Sequence, residues 1–166
     1  MSGIHHYLIA LGSNMRSPRF GTPRQIVRAA CGHIENAGAE ICALSPIIRS
    51  RPIGPSAREF ANAAAVVAAP LTPRAMLAML QDIEKQFGRK RSGQAWRARV
   101  LDLDIALWSG GIYDELGLQI PHPGLRERPF VLGPASTIAP HWRDPISRLS
   151  LAQLNARLTR PQPLSK

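Results

Sequence analysis

The chain has 166 residues, of which 45% are hydrophobic and 19% charged, a balance expected of one soluble domain with a buried core. Lys and Arg number 21 against 11 Asp and Glu, a formal net charge of +10, which favours a polyanionic partner such as nucleic acid, nucleotide phosphates or an anionic membrane. The longest apolar run, Ala63 to Ala69, spans seven residues against the roughly 20 of a membrane-crossing helix, which excludes a transmembrane segment. The amino terminus lacks the basic start and long apolar stretch of a secretory signal, so a cytoplasmic protein is expected. Cys31 and Cys42 show neither CxxC spacing nor histidines at metal-site spacing, and are expected to be reduced and structural.

In chain order, Tyr7 to Leu11 reads as a buried strand closed by a turn at Gly12-Ser13-Asn14. Thr22-Pro23 supplies a cap and a first-turn proline, and Ile26, Val27, Ala30, Cys31 and Ile34 recur at helical spacing up to Gly38. Residues 41–50 are β-prone but contain Pro46, so an edge strand or two short pieces are expected, followed by a proline-rich loop from Arg51 to Pro55. Phe60 to Ala69 is short and apolar enough for a buried strand, with a helix as the competing assignment. Thr72-Pro73 repeats the cap signature, and Met76, Leu77, Leu80, Ile83, Glu84 and Phe87 follow at helical spacing until Gly88. A basic loop from Gly88 to Arg99 then leads into a strand from Val100 to Trp108.

The order β-α-β-β-α-β predicts an α+β fold of the ferredoxin-like sandwich type, an antiparallel sheet with both helices on one face. From about Ile112 the chain is proline-rich, with short helices expected over 125–132 and 150–158. No linker or repeat divides it, so a single domain, 1–166, with a C-terminal extension is expected.

In Leu101-Asp102-Leu103-Asp104-Ile105 the strand period of two puts Asp102 and Asp104 on one face and the aliphatic residues on the other. Two carboxylates about 7 Å apart along a strand can hold hard cations such as Mg²⁺ through oxygen ligands. A half-exposed strand with its acids in water is the alternative. The pair follows directly on the densest cationic stretch, Arg89, Lys90, Arg91, Arg97 and Arg99, with Trp96 as a large flat ring. Arginines bind phosphate oxygens bidentately, and a glycine-containing loop can close over a nucleotide; a solvated basic surface is the bland alternative. Together, carboxylates and basic loop point to nucleotide-dependent group transfer, although neither a Walker P-loop nor a kinase glycine loop is present.

These segments resemble the 6-hydroxymethyl-7,8-dihydropterin pyrophosphokinase family. The matching runs are Ala10 to Asn14, Arg49 to Pro55, Phe60 to Ala64, Ile83-Glu84, Gly88-Arg89, Trp96 to Ile105, and Ile120-Pro121-His122-Pro123, in the family's order along nearly the whole chain. The resemblance implies that diphosphate moves from ATP to the hydroxymethyl group of the pterin in folate biosynthesis, with AMP leaving. By the same resemblance Asp102 and Asp104 bind two Mg²⁺ ions, and Arg89 and Arg99 act on the triphosphate beside them. The ATP side would further take Glu84, Arg91, Trp96, Ile105, His122 and Arg128. The pterin side would take Asn62 on the amide edge of the ring, Phe130 in stacking, Phe60 and Trp96 beside it, and Ser50, Arg51, Pro52 and Ile53 on the remaining polar atoms. Read without the family, Phe60 and Phe130 are core residues, Arg128 is a surface cation and His122 marks a rigid surface turn. The run Ala95-Trp96-Arg97-Ala98-Arg99 departs from the family's Arg-Trp-Gly-Pro-Arg, losing one arginine and the Gly-Pro pair.

The expected partners are therefore ATP and the pterin, with no nucleic acid and no membrane, acting on a monomer. A basic RNA-binding module of ferredoxin-like fold is the competing class. Such modules stack bases on exposed sheet aromatics, whereas aromatic residues here are only 5% and paired aspartates would repel a phosphate backbone.

Overall fold

The apolar and β-branched segments form a sheet whose central strands are buried from both sides. The computed structural model describes residues 3–50, 60–88 and 99–163. Its elements begin with β1 (His5–Ser13), α1 (Pro23–Asn36), β2 (Glu40–Leu44), β3 (Ile48–Ser50), β4 (Phe60–Ala69) and α2 (Pro73–Gln86). They continue with β5 (Asp102–Trp108), the hairpin strands β6 (Tyr113–Glu115) and β7 (Leu118–Ile120), a 3-10 turn at Leu125–Glu127, α3 (Pro129–Ile138) and α4 (Leu151–Thr159). The main sheet runs β2-β4-β1-β5, with β3 also paired to β4, and every described pairing is antiparallel.

Both long helices start where the caps predict. Thr22 accepts from the Gln25 N–H at 3.3 Å while the Gln25 side chain accepts from the Thr22 N–H at 2.9 Å, a reciprocal box ahead of Pro23. Thr72 caps α2 through the Ala75 N–H at 3.3 Å. Ile26, Val27, Ala30 and Ile34 of α1 and Met76, Leu80 and Ile83 of α2 then bury against Tyr7, Ile9 and Leu11 of β1, the odd-numbered residues of β4, and Leu103 and Ile105 of β5. The Tyr7 hydroxyl, inside this core, donates to the Leu71 carbonyl.

The even-numbered face is covered as well, and here sequence expectation is corrected. The expected helix over 125–132 is a 3-10 turn followed by a separate helix, α3. Pro129 opens α3, and Arg128 before it is extended at φ −108°, ψ 99°, because the proline ring disfavours the helical region for its predecessor. The segment taken as a C-terminal extension is a packing layer: Val131, Leu132 and Ala135 of α3 and Leu151 and Leu154 of α4 bury against Leu8, Ala64, Ala106 and Leu107. The alanines of β4 leave room for α3 to approach the sheet. The β6–β7 hairpin occupies the stretch after Ile112 for which the sequence predicts no strand, and Gly12 and Ser13 belong to β1 instead of a turn. Cys31 packs against the core from α1 while Cys42 is exposed on β2, so a packing role fits the first and not the second.

Among the described residues no helix is long and apolar enough to cross a membrane. Among the described residues, helices pack on both faces of the main sheet, which leaves little of it as the open aromatic platform that the RNA-binding alternative needs. Leu132→Ala should lower unfolding free energy by about 2–5 kcal/mol, as much as Leu80→Ala on the opposite face, in urea denaturation. A change under about 0.5 kcal/mol would mean that the C-terminal layer is peripheral.

Candidate active site

Register places the candidate residues. Gly12 of β1 pairs with Asn62 of β4 on one side and Asp102 of β5 on the other, and Asn62 pairs onward with Ile48 of β3. Directly paired residues share a face, so Asn62 and Asp102 flank Gly12 on the α3 side of the sheet. One step along, Ala10 stands between Ala64 and Asp104. A Cβ on Gly12 would lie 3.1 Å from the Asn62 Oδ1, so glycine keeps this row open between the amide and the carboxylate. Asn62 is buried at 5% exposure. Phe60 and Phe130 are half-buried; Phe60 shares Asn62's face by strand parity, and Phe130 enters from α3.

Both aspartates are partly exposed and each meets a cation. The Arg99 guanidinium donates to Asp102 at 3.1 Å, and Arg128 Nη1 stands 4.0 Å from Asp104 Oδ2. The Asp104 carboxyl is pushed up to about 7, first by burial, then by the Asp102 charge and to a lesser degree by Glu84, with Arg128 and Arg99 opposing. Asp104 thus carries an unsatisfied demand for positive charge. Among the described residues no group of three or more His, Cys, Asp or Glu could hold a metal, but two carboxylates suit a hard cation whose other ligands are waters and phosphate oxygens.

Among the described residues β5 is an outer strand of the sheet, opposite β2, and Asp104 borders two openings along its outer edge. One, about 630 Å³, is lined by Leu77, Asp104, Ile105, the hairpin residues Asp114 to Gln119, His122 and Pro123. The other, about 250 Å³, is lined by Leu77, Gln81, Glu84, Lys85, Leu103, Asp104 and Gly117. Glu84 is 3% exposed and accepts the Leu103 N–H at 2.9 Å, so it fastens α2 to β5 at the wall of the cleft.

Ala106 is skipped in the β1–β5 register, a bulge that leaves its carbonyl to accept the His122 N–H at 3.0 Å and dock the segment after the hairpin. The His122 Nδ1 accepts the Gly124 N–H at 2.9 Å, which puts the ring hydrogen of the neutral form on Nε2. Burial, then the Arg128 charge, lowers the His122 pKa against a smaller opposing pull from Asp102, so the ring is neutral at pH 7.

The structure therefore brings Asn62, Asp102, Asp104, Arg99, Ile105, His122, Arg128, Glu84, Phe60 and Phe130 to one end and edge of the sheet. Arg51, Pro52, Ile53, Arg89, Arg91 and Trp96 lie outside the described residues; Ser50 contributes its backbone as the partner of Phe60. Asn14 is a residue that sequence reasoning missed. It is 7% exposed, its Oδ1 accepts the Arg99 N–H at 2.7 Å, and its own N–H donates to the Arg99 carbonyl at 3.2 Å. Asn after a strand looks like a turn former, and nothing local reveals a partner 85 positions away.

Residues 8–140 match the family model described as 7,8-dihydro-6-hydroxymethylpterin-pyrophosphokinase. The chain is 36% identical over 147 residues to the 2-amino-4-hydroxy-6-hydroxymethyldihydropteridine pyrophosphokinase of Pseudomonas aeruginosa, covering 87% of each. It is 39% identical over 118 residues to the Synechocystis sp. protein of the same name, covering 71% of this chain and 60% of that one. In fold it is similar to the crystal structure of Plasmodium falciparum HPPK-DHPS wild type with SDX-DHP, at TM-score 0.74 and 13% identity over 93% of this chain and 44% of that chain.

Because folding raises the Asp104 pKa above its unfolded value, the metal-free native state binds the extra proton between about pH 4 and 7. Its stability should therefore fall as pH rises through that window. Urea titrations across it should show a shallower loss in Asp104→Asn; an unchanged slope would mean that Asp104 is ionised at its ordinary pKa.

Proposed function

The chain belongs to the 7,8-dihydro-6-hydroxymethylpterin-pyrophosphokinase family, and on that premise we propose that it transfers the terminal diphosphate of ATP to the hydroxymethyl group of 6-hydroxymethyl-7,8-dihydropterin, a step of folate biosynthesis. The observation that carries the proposal is the placement of Asp102 and Asp104 together on the α3 face of the outer strand β5, Asp102 in the row of Asn62 and Asp104 one row on, bordering a cleft. We read the fold as a ferredoxin-like sandwich in one domain, a reading supported by the antiparallel strand order, by α1 and α2 on one face and by the packing of α3 and α4 on the other.

In this proposal the hydroxymethyl oxygen of the pterin attacks the β-phosphorus of ATP and loses its proton to solvent, the bond from that phosphorus to the α,β-bridging oxygen breaks, and AMP leaves carrying that oxygen. Asp102 and Asp104 would hold Mg²⁺, two ions by family resemblance, which when bound neutralise phosphate charge and polarise the transferred group. The protein's own side chains supply position and charge. Arg99 and Arg128 flank the carboxylates and can receive phosphate oxygens, a role that family resemblance extends to Arg89 and Arg91. The His122 Nε2–H is a neutral donor suited to a phosphate oxygen, since an uncharged ring does not compete for the carboxylates. Glu84 keeps α2 docked on β5, Ile105 lines the cleft where the nucleotide would sit, a role that resemblance extends to Trp96, and Asn62 would read the amide edge of the pterin with donors and an acceptor. Phe130 and Phe60, with Trp96 and the backbone of 50–53, would enclose the ring. No side chain is an evident general base, so catalysis is mainly positioning and charge stabilisation.

AMP formation from ATP and Mg²⁺ with and without the pterin tests the reaction; pterin-independent ADP release would overturn it. Asp102→Ala and Asp104→Ala should each cut turnover by about a thousandfold or more while far-UV circular dichroism stays native. Near wild-type turnover in either at saturating Mg²⁺ would remove it from the metal site. Asn62→Ala should raise the pterin KM about tenfold with little change in the KM for ATP, consistent with the loss of a buried hydrogen bond.

A further inference from the structure

We propose that Arg126 and Asp144 form a clamp that positions the segment from His122 to Phe130 and thereby sets where the Arg128 guanidinium stands relative to Asp104. Asp144 follows α3, beyond the stretch 8–140 that the family description matches, and is 0% exposed. Its two carboxylate oxygens receive Arg126 Nε at 2.7 Å and Nη2 at 2.8 Å, a bidentate fork. The N–H groups of Ile146 and Ser147 donate at 3.1 and 3.2 Å, and the Ser147 hydroxyl at 2.6 Å. The loop around them is closed by the Arg148 N–H on the Asp144 carbonyl at 2.9 Å, with Arg148 in the left-handed region at φ 65°.

A buried carboxylate with this many donors is a rigid anchor, and what it anchors is the middle of the 3-10 turn Leu125–Glu127. Of its three residues Leu125 alone is buried, at 1% exposure in the α3 and α4 layer, so the turn is held there on its inner side and by Arg126 on its outer side. It carries no side-chain cap, and its backbone bonds are Leu125 N–H to the His122 carbonyl at 3.0 Å and Glu127 N–H to the Gly124 carbonyl at 3.2 Å. Its two flanks are the functional parts. His122 precedes it, and Arg128 follows it with its side chain folded back over Gly124, where a Cβ would come within 2.5 Å of Arg128 Nε. Arg128 thus takes its position from the turn beneath it. Its reach is marginal, 4.0 Å to Asp104 Oδ2 and 6.0 Å to the Phe130 ring centre, so a displacement of about 1 Å breaks both contacts. Arg126 lines neither opening beside β5, which makes it a positioning residue and not a catalytic one.

Arg128 enters as a member of the proposed site, so the clamp stands on that assignment, and a double-mutant cycle separates the two. Arg126→Lys keeps the charge and loses the fork. With kcat measured per titrated active site, at a temperature where circular dichroism shows full folding, Arg126→Lys should lower kcat about tenfold in the otherwise unchanged enzyme and less than about twofold in Arg128→Ala. Multiplicative effects would overturn the clamp, as would an Arg126→Lys enzyme of lowered Tm and wild-type kcat. Wild-type kcat in Arg128→Ala would overturn the assignment of Arg128 itself. If Arg126→Lys does not fold, Ser147→Ala, which removes one donor from Asp144 and leaves the fork, decides through the same cycle: about threefold alone and no further loss in Arg128→Ala.

Discussion

The antiparallel register of β1 between β4 and β5 is the constraint from which the candidate site follows. It sets Gly12 between Asn62 and Asp102, and Ala10 between Ala64 and Asp104. Side chains alternate faces along a strand, so a slip of one residue in the β1–β5 pairing would carry the carboxylates to the helix-packed core on the α1 and α2 side, and a slip in the β1–β4 pairing would carry Asn62 there. The core opposes that slip. Leu103 and Ile105 are buried only in the observed register, and burying carboxylates in their place would be far costlier than exposing two aliphatic side chains. The residues that hold the sheet together and those that carry charge are therefore locked to one another.

The two faces of the sheet divide the work. On one, α1 and α2 bury a continuous apolar layer. On the other, α3 and α4 pack over Leu8, Ala64 and Ala106, and the row of Asn62 and Asp102 lies at the end of the sheet, with Asn62 buried and Asp102 partly exposed. The edge position of β5 adds a free flank where the β6–β7 hairpin, α2 and His122 wall a cleft. A strongly basic protein thus places its paired carboxylates at a partly buried edge, between Arg99 and Arg128. Burial and the Asp102 charge raise the Asp104 pKa in this arrangement, a strain that a bound cation would relieve.

Long-range hydrogen bonds connect these parts. Asn14 ties the end of β1 to Arg99, Glu84 ties α2 to Leu103, and the bulge at Ala106 ties β5 to His122. Each joins residues distant in sequence through a backbone group on β5 or at its entry, so this strand acts as the frame on which the site is assembled.

Local physics made much of the molecule readable in advance. The Thr-Pro caps and three- and four-residue apolar spacing determine α1 and α2, and the alternation from Leu101 to Ile105 determines which way the aspartates face, because these signals depend on neighbours a few positions apart. Family resemblance marked Asn62, His122, Arg128 and Phe130, which chain periodicity alone assigns to core or surface. Tertiary structure decided the rest. That Gly12 continues a strand, that Tyr113 to Ile120 form a hairpin, that the helix expected over 125–132 breaks at Arg128, and that Asp144 is buried against Arg126 all depend on partners many residues away. A turn former, a proline-rich run and a lone aspartate look alike in sequence whether solvated or enclosed, and the fold that encloses them is what gives each its role.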